Sequence, residues 1–251
     1  MILVKKFLSA SLVIISLISP AWAFSFAVFG DNRDGDEIFS ELLGKMNKDN
    51  EITFAVNTGD FVSSGKESEY KHYLNLIKKS RFKIYNVAGN HDMVGQGAKW
   101  FKKYFGPDVY SFDYENAHFI ILNNSFEGVF DKRQNDFLIS DLEANKKKQN
   151  FVFFHRPMFD PSEVYPNYVM SERKTAEKLM ETFARYRVRY VIAGHIHGYA
   201  KATRDSVVYI VTGGAGAPLY LPNYLGGYYH YVKITVDGYK IKDEVINLNQ
   251  K

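Results

Sequence analysis

Asp31, Asp60, Asn90, His155, His195 and His197 are all met at the end of a short apolar run. SFAVFG leads to Asp31, TFAVNTG to Asp60 and KIYNVAG to Asn90-His91-Asp92; FVFF leads to His155, and YVIAG to His195-Ile196-His197. Carboxylate oxygens, amide oxygens and neutral imidazole nitrogens are all metal donors. If the runs are strands of an open α/β sheet, their carboxyl ends are where ligands bind. Six such donors gathered there without a cation would repel one another or stay unsatisfied. Two divalent ions sharing a carboxylate remove that cost. Taken singly, each piece also fits a bland role: a Gly-Asp pair as a turn, a strand histidine as structural. His118 reads that way as a strand residue and His72 as a helix-surface residue. His230, in an aromatic strand, reads as core. The ordered series is another matter, because chance rarely puts a donor after every apolar strand.

The elements that must carry these donors follow from hydrophobic periodicity. Strands are expected at 25–30, 53–57, 83–88, 151–154 and 190–193. The spacing predicts helices over 36–48, with Ile38, Leu42, Leu43 and Met46 on one face, and over 67–79, with Tyr70, Tyr73, Leu74 and Ile77 inward. Two more are expected at 133–147, whose basic end (Lys146, Lys147, Lys148) suits a helix C-terminus, and at 174–186. Strand–helix–strand alternation implies a parallel sheet. The pattern changes at 110–122, where Glu115-Asn116-Ala117 separates two strands of a hairpin, and near the end, where Asp237-Gly238 turns between strands 229–236 and 240–245. A further strand is expected at 207–211. The chain therefore reads as one mixed α/β domain with two sheets' worth of strands, and without repeat or linker.

Composition narrows the class. The 251 residues are 46% hydrophobic and 24% charged, which excludes a disordered chain. Lys5 and Lys6 precede a 12-residue apolar run, 7–18, and then Ala21-Trp22-Ala23. That is the layout of a secretory signal peptide and is shorter than the ~20 residues of a membrane span. Cleavage after Ala23 is expected, with residues 24–251 as the mature domain in the periplasm or outside the cell, holding no stable membrane span. Without the two lysines the net charge falls from +4 to +2, too small an excess to support nucleic-acid binding. Cysteine is absent, so an exported chain would rely on its core or on bound metal rather than on disulfides.

The donor series resembles the calcineurin-like metallophosphoesterase family, which includes purple acid phosphatases, cyclic-nucleotide phosphodiesterases and related phosphohydrolases. The resemblance spans residues 26–245, and its most specific pieces are Gly89-Asn90-His91-Asp92 and Gly194-His195-Ile196-His197. It implies a four-layer α-β-β-α sandwich, two mixed sheets face to face with helices outside and the metal site at the strand carboxyl ends. It implies that Asp31 and His197 bind a first metal, that Asn90, His155 and His195 bind a second, and that Asp60 bridges them. An oxygen and imidazole set without thiolate suits Mn, Fe or Zn. The implied reaction is hydrolysis of a small phosphoester by a metal-bridging hydroxide, with His91 at the leaving oxygen as proton donor and Asp92 orienting its imidazole.

One position departs from the family pattern. The first motif usually reads Asp-x-His, and here it is Asp31-Asn32-Arg33. Arginine stays protonated and cannot ligate a cation, so the reading is that water replaces the missing ligand and weakens the first metal site, while the arginine fork binds the substrate phosphate. Two stretches flank the site. Residues 156–170, with three prolines, read as a stiff loop. Residues 213–229 carry Tyr220, Tyr224, Tyr228 and Tyr229, and read either as an aromatic-lined pocket or as a Gly/Tyr loop packed on the core. No GxGxxG or Walker pattern is present, so a nucleotide-cradling loop is excluded. Phosphomonoesterase is the first expectation. A phosphodiesterase acting on nucleotides or lipid headgroups, and a metal-holding binding protein with weak turnover, are the alternatives.

Overall fold

The computed structural model describes residues 23–248; residues 1–22, on which the expected signal peptide falls, lie outside them. The first strand begins immediately after the expected cleavage point: β1 is Phe24–Phe29, followed by α1 (Asp36–Lys48), β2 (Ile52–Asn57), α2 (Glu67–Ile77) and β3 (Lys83–Asn86). Two helices that sequence periodicity did not predict come next, the one-turn α3 (Asn90–Met93) and α4 (Gly97–Phe105). Then follow β4 (Tyr110–Tyr114), β5 (Ala117–Ile121), α5 (Lys132–Ala144), β6 (Gln149–Phe153), α6 (Arg173–Arg185) and β7 (Tyr190–Ala193). The chain ends in β8 (Tyr199–Arg204), β9 (Val207–Thr212), a 3-10 turn (Asn223–Leu225), β10 (His230–Asp237) and β11 (Lys240–Asn247). Among the described residues no helix is long and apolar enough to cross a membrane.

Two sheets result, ordered β11-β10-β1-β2-β3 and β4-β5-β6-β7-β9-β8. In the first, β1, β2 and β3 run parallel; in the second, β5, β6, β7 and β9 do. Antiparallel strands close the edges. Period-2 alternation builds the layers. From β1, Phe26 and Val28 face the other sheet, while Ala27 and Phe29 face Phe39, Leu42 and Met46 of α1. From β6, Phe151 and Phe153 face inward, and Val152 meets Leu138 and Leu142 of α5 and Leu179 of α6. The order is therefore helix, sheet, sheet, helix, as the resemblance implied.

Aromatic residues fill both the space between the sheets and the layer beneath α1, α2 and α4. Phe26 stacks on Phe54 at 5.1 Å and meets Phe119 and Phe151 edge-on at 5.2 and 5.3 Å. Such pairs add about 0.5–1.5 kcal/mol each beyond their buried area. These rings pack together β1, β2 and β6, three of the strands that lead to the donors. Strand β8 escaped prediction because it is an edge strand whose outer face is polar, and α4 because its Trp100, Phe101, Tyr104 and Phe105 pattern directly follows a strand-end loop.

Candidate metal centre

The carboxyl ends of β1, β2 and β3 in one sheet meet those of β6 and β7 in the other. Sharp turns follow three of these strands, and Asp31, Asp60 and His195 take positive φ there (58°, 57° and 70°). Left-handed backbone is unfavourable for residues with a Cβ and is kept where the surroundings over-determine it. It swings each donor back over the strand end. The neighbouring glycines make room: a Cβ on Gly89 would lie 2.2 Å from Asp60 Oδ1, and one on Gly194 2.5 Å from Asp31 Oδ2.

The donors converge. His155 Nε2 lies 3.1 Å from Asn90 Oδ1, 3.1 Å from His195 Nδ1 and 3.4 Å from Asp60 Oδ1. The donor atoms of Asp60, His155 and His195 all fall within 4.8 Å of one another. His197 Nε2 lies 3.4 Å from Asp31 Oδ1, a buried oxygen with no hydrogen-bond partner. His155 Nδ1 donates to the Thr58 carbonyl at 2.9 Å, and His197 Nδ1 to the Pro218 carbonyl at 2.7 Å. A carbonyl only accepts, so both tautomers are set, and the Nε2 lone pairs point at oxygen and nitrogen acceptors. Neighbouring donors bonded at ~2.1 Å to one tetrahedral ion stand roughly 3.4 Å apart. Asp60, His155 and His195 thus fit one cation, with Asn90 beside them, and Asp31 and His197 face each other as a second pair of donors.

Electrostatics agree with that fit. Burial alone would raise the Asp60 carboxyl, but His155 and His91 hold it well below the usual carboxylate range. Burial would lower the His155 imidazole, yet the Asp60 and Asp31 carboxylates raise it to about 9. The two carboxylates therefore favour positive charge at Nε2, as a proton there or as a cation in the proton's place. Burial, then the charge on His155, pushes His195 down, so its nitrogen lone pair is available to a metal.

The structure changes one expected role. Asp92 does not orient the His91 imidazole. Its Oδ2 accepts from the backbone N–H of Gly89 (2.7 Å) and Asp60 (2.8 Å), and its Oδ1 from Phe61 (3.0 Å) and Val62 (3.1 Å). A fully buried carboxylate that ties two donor loops together has no oxygen to spare for a neighbouring ring. Burial and the Asp60 charge push its carboxyl up, and the N–H groups oppose them. Asp92→Asn would set an amide NH2 against two of these donors. Each unsatisfied buried group costs about 1–3 kcal/mol. The variant is expected to lose about 2–4 kcal/mol of stability in urea unfolding; a change below ~0.5 kcal/mol would show that Asp92 does not hold the loops.

His91 is instead held by Ser63. Its Nδ1 lies 2.8 Å from the Ser63 carbonyl, so Nδ1 carries a proton and Nε2 is left for proton exchange. The His91 backbone N–H donates to Asp60 Oδ1 at 2.9 Å. Arg33 lies against the shared carboxylate. Its Nε is 3.8 Å from Asp60 Oδ2 and has no hydrogen-bond partner, while Nη1 donates to Asp34 at 2.9 Å. Asp34 also accepts from the Ser63 hydroxyl, so one chain of contacts joins Arg33 to the loop that holds His91.

Sequence reading missed Asn124. Its Oδ1 accepts from the N–H of His155 (3.1 Å) and Arg156 (2.9 Å), and its amide donates to the Arg156 carbonyl (2.7 Å), which sets the end of β6. The signal was present as two asparagines directly after an apolar strand. His118 is a buried strand residue between Asp113 and Asp141, and His72 an exposed helix residue paired with Asp36. His230 is buried and held near pH 4 by burial, so it is core. Of the four tyrosines in 213–229, Tyr220 alone reaches the donors, stacking on His197 at 3.9 Å. Tyr224 is 84% exposed, Tyr228 packs on His230, and Tyr229 packs with the α1 side of the core.

Comparison with known proteins identifies the family and the fold. The profile of the calcineurin-like phosphoesterases matches residues 24–199. A probable cyclic nucleotide phosphodiesterase of Coxiella burnetii is 27% identical over 146 residues, 56% of this chain and 58% of that protein. A 3',5'-cyclic-nucleotide phosphodiesterase of Nostoc is 27% identical over 168 residues, 64% of this chain and 61% of that protein. The matches thus span about three fifths of the length of these curated relatives. A purple acid phosphatase from yellow lupin seeds (Lupinus luteus) superimposes with a TM-score of 0.74 at 16% identity, covering 92% of this chain and 52% of that one.

Proposed function

Because the chain belongs to the calcineurin-like phosphoesterase family, we propose that it is a metal-dependent phosphoester hydrolase acting first on phosphomonoesters. The observation that carries this reading is the convergence of imidazole nitrogens with the Asn90 amide oxygen and the Asp60 and Asp31 carboxylates at 3.1–3.4 Å, with Asp31 Oδ1 buried and unpartnered. Asp60 would be shared between two divalent ions, with Asn90, His155 and His195 on one side and Asp31 and His197 on the other. Bound cations supply positive charge to phosphate oxygens and activate water as nucleophile. The protein's own residues do the rest. Arg33 adds a permanent positive charge beside Asp60, and its unpartnered Nε is a donor for a phosphate oxygen. A monoester dianion gains more from that charge than a diester monoanion. His91 Nε2 is the atom that hands a proton to the departing oxygen.

The names of the Coxiella and Nostoc relatives favour a second reading, phosphodiester hydrolysis. The test is a comparison of p-nitrophenyl phosphate with bis-p-nitrophenyl phosphate on Mn-loaded protein. The expected result is a higher kcat/KM for the monoester. Arg33→Ala should raise its KM by about 10-fold or more, the scale of a charged hydrogen bond. Preference for the diester selects the second reading. Metal bound without hydrolysis of either ester selects a metal-holding binding protein. An unchanged KM in Arg33→Ala makes the arginine a loop residue.

We also place the chain outside the cytoplasm, on the basis of Lys5, Lys6, the apolar run 7–18 and Ala21-Trp22-Ala23. Sequencing of the protein from the cell envelope should find Phe24 at its N-terminus. Met1 there, in a cytoplasmic fraction, refutes export.

A further inference from the structure

Two loops that leave the metal donors meet again through their aromatic rings. Residues 156–170 start at His155, and residues 213–229 return to the His197 turn through the Tyr220 N–H, which donates to the His197 carbonyl at 2.9 Å. Tyr165 of the first loop donates its hydroxyl to the Tyr220 carbonyl of the second at 2.9 Å. Tyr168 lies 5.4 Å from Tyr165, 5.7 Å from Tyr220 and 6.1 Å from the His195 ring, centroid to centroid. It is nevertheless 45% exposed. A large ring wedged between two tyrosines and a metal-donor histidine, and still open to water, lies within reach of a group leaving the metal centre.

The first loop is locked in shape. The Asp160 carboxylate accepts from the N–H of Ser162 (2.8 Å) and Tyr165 (2.6 Å), and the Met170 N–H closes onto the Pro157 carbonyl at 2.9 Å. With Pro157, Pro161 and Pro166 in the same stretch, little ordering remains when a ligand arrives, and pre-organised contact area costs less on binding. The larger cleft, about 830 Å³ between α1 and α2, touches Arg33 but has none of the six donors in its wall. Its rim of Asp34, Asp36, Glu37 and Glu69 opposes an anionic ester.

We propose that Tyr168, backed by Tyr165 and Tyr220, is an aromatic shelf that selects phosphoesters whose organic part carries a planar aromatic ring. This rests on the phosphohydrolase reading. A flat base stacks face to face on tyrosine whatever its hydrogen-bonding pattern, whereas a furanose or polyol has no π-face and packs with less of its area.

The probes are AMP and ribose 5-phosphate, which share the reacting bond and differ at C1′, where one carries adenine and the other a hydroxyl. On Mn-loaded full-length protein the kcat/KM ratio should favour AMP by about 5- to 150-fold, the range of base–aromatic stacking. Tyr168→Ala should bring that ratio to about one, mainly through the KM for AMP. Tyr168→Phe, which keeps the ring, should preserve it, and Tyr224→Ala, away from the shelf, should leave it unchanged. A parent ratio near one, or a ratio untouched in Tyr168→Ala, overturns the shelf. If the p-nitrophenyl esters are not hydrolysed, the phosphohydrolase reading fails on its own. The shelf is then decided by equilibrium dialysis of AMP and ribose 5-phosphate on the same metal-loaded protein, where equal affinities refute it.

Discussion

Asp60→Asn is expected to abolish turnover and to lower the bound metal from two ions per chain to one or fewer. The Asp60 carboxylate is buried, and its two oxygens point different ways: Oδ1 toward His155 at 3.4 Å and Oδ2 toward Arg33 at 3.8 Å. Asparagine keeps the shape but offers one oxygen and no charge, so it can serve one side only. The loss in kcat should reach about 10³-fold or more, the upper scale for removing one pre-organised electrostatic group. Metal analysis of the dialysed variant, with kcat on p-nitrophenyl phosphate, is the measurement. Asp92 holds the loops through four backbone N–H groups, and an asparagine Oδ1 at position 60 can still accept from the His91 N–H, so the variant should fold, and near-parent unfolding is the control. Two ions and full activity in the folded variant would overturn the sharing of Asp60.

His91→Ala should behave differently, with both metals kept and kcat lowered. Its imidazole meets the Ser63 carbonyl through Nδ1, and its link to Asp60 is the backbone N–H, which alanine retains. General-acid groups contribute about 10²–10⁴-fold. The loss should be near that size for an alkyl phosphate and should shrink for p-nitrophenyl phosphate, whose leaving group needs little protonation. A series of phenyl phosphates of graded leaving-group acidity, with metal content measured in parallel, checks this. An equal slowing of every ester, or loss of an ion, would remove His91 as the proton donor. Arg33→Ala, by contrast, should leave the leaving-group dependence as it is and act on KM.

Much of this arrangement is legible in the sequence. The strands that end in Asp31, Asp60, Asn90, His155 and His195 are short apolar runs, and the burial of β1, β6 and β7 on both faces follows from that composition. Helix α1 begins and ends where periodicity puts it, at Asp36 and Lys48. The donor types could be read because metal chemistry restricts them to a few side chains, placed by a local rule: each stands at a strand end, within three residues of a glycine or directly after an aromatic pair.

What the tertiary structure alone decided lies in contacts between residues distant in the chain. That Asp92 serves four backbone N–H groups rather than His91 depends on the β2 and β3 loops lying side by side, and nothing near position 92 encodes it. The partners that fix the donor tautomers, Thr58, Pro218 and Ser63, act through main-chain carbonyls, which every residue type possesses and which leave no mark in a sequence. Tyr220, not its three neighbours, reaches His197, and Tyr165 and Tyr168 join it from a loop some fifty residues earlier. Periodicity reports which face of an element is buried. It does not report which loop comes to rest on which, because that is set by how two sheets pack and where their strand ends meet.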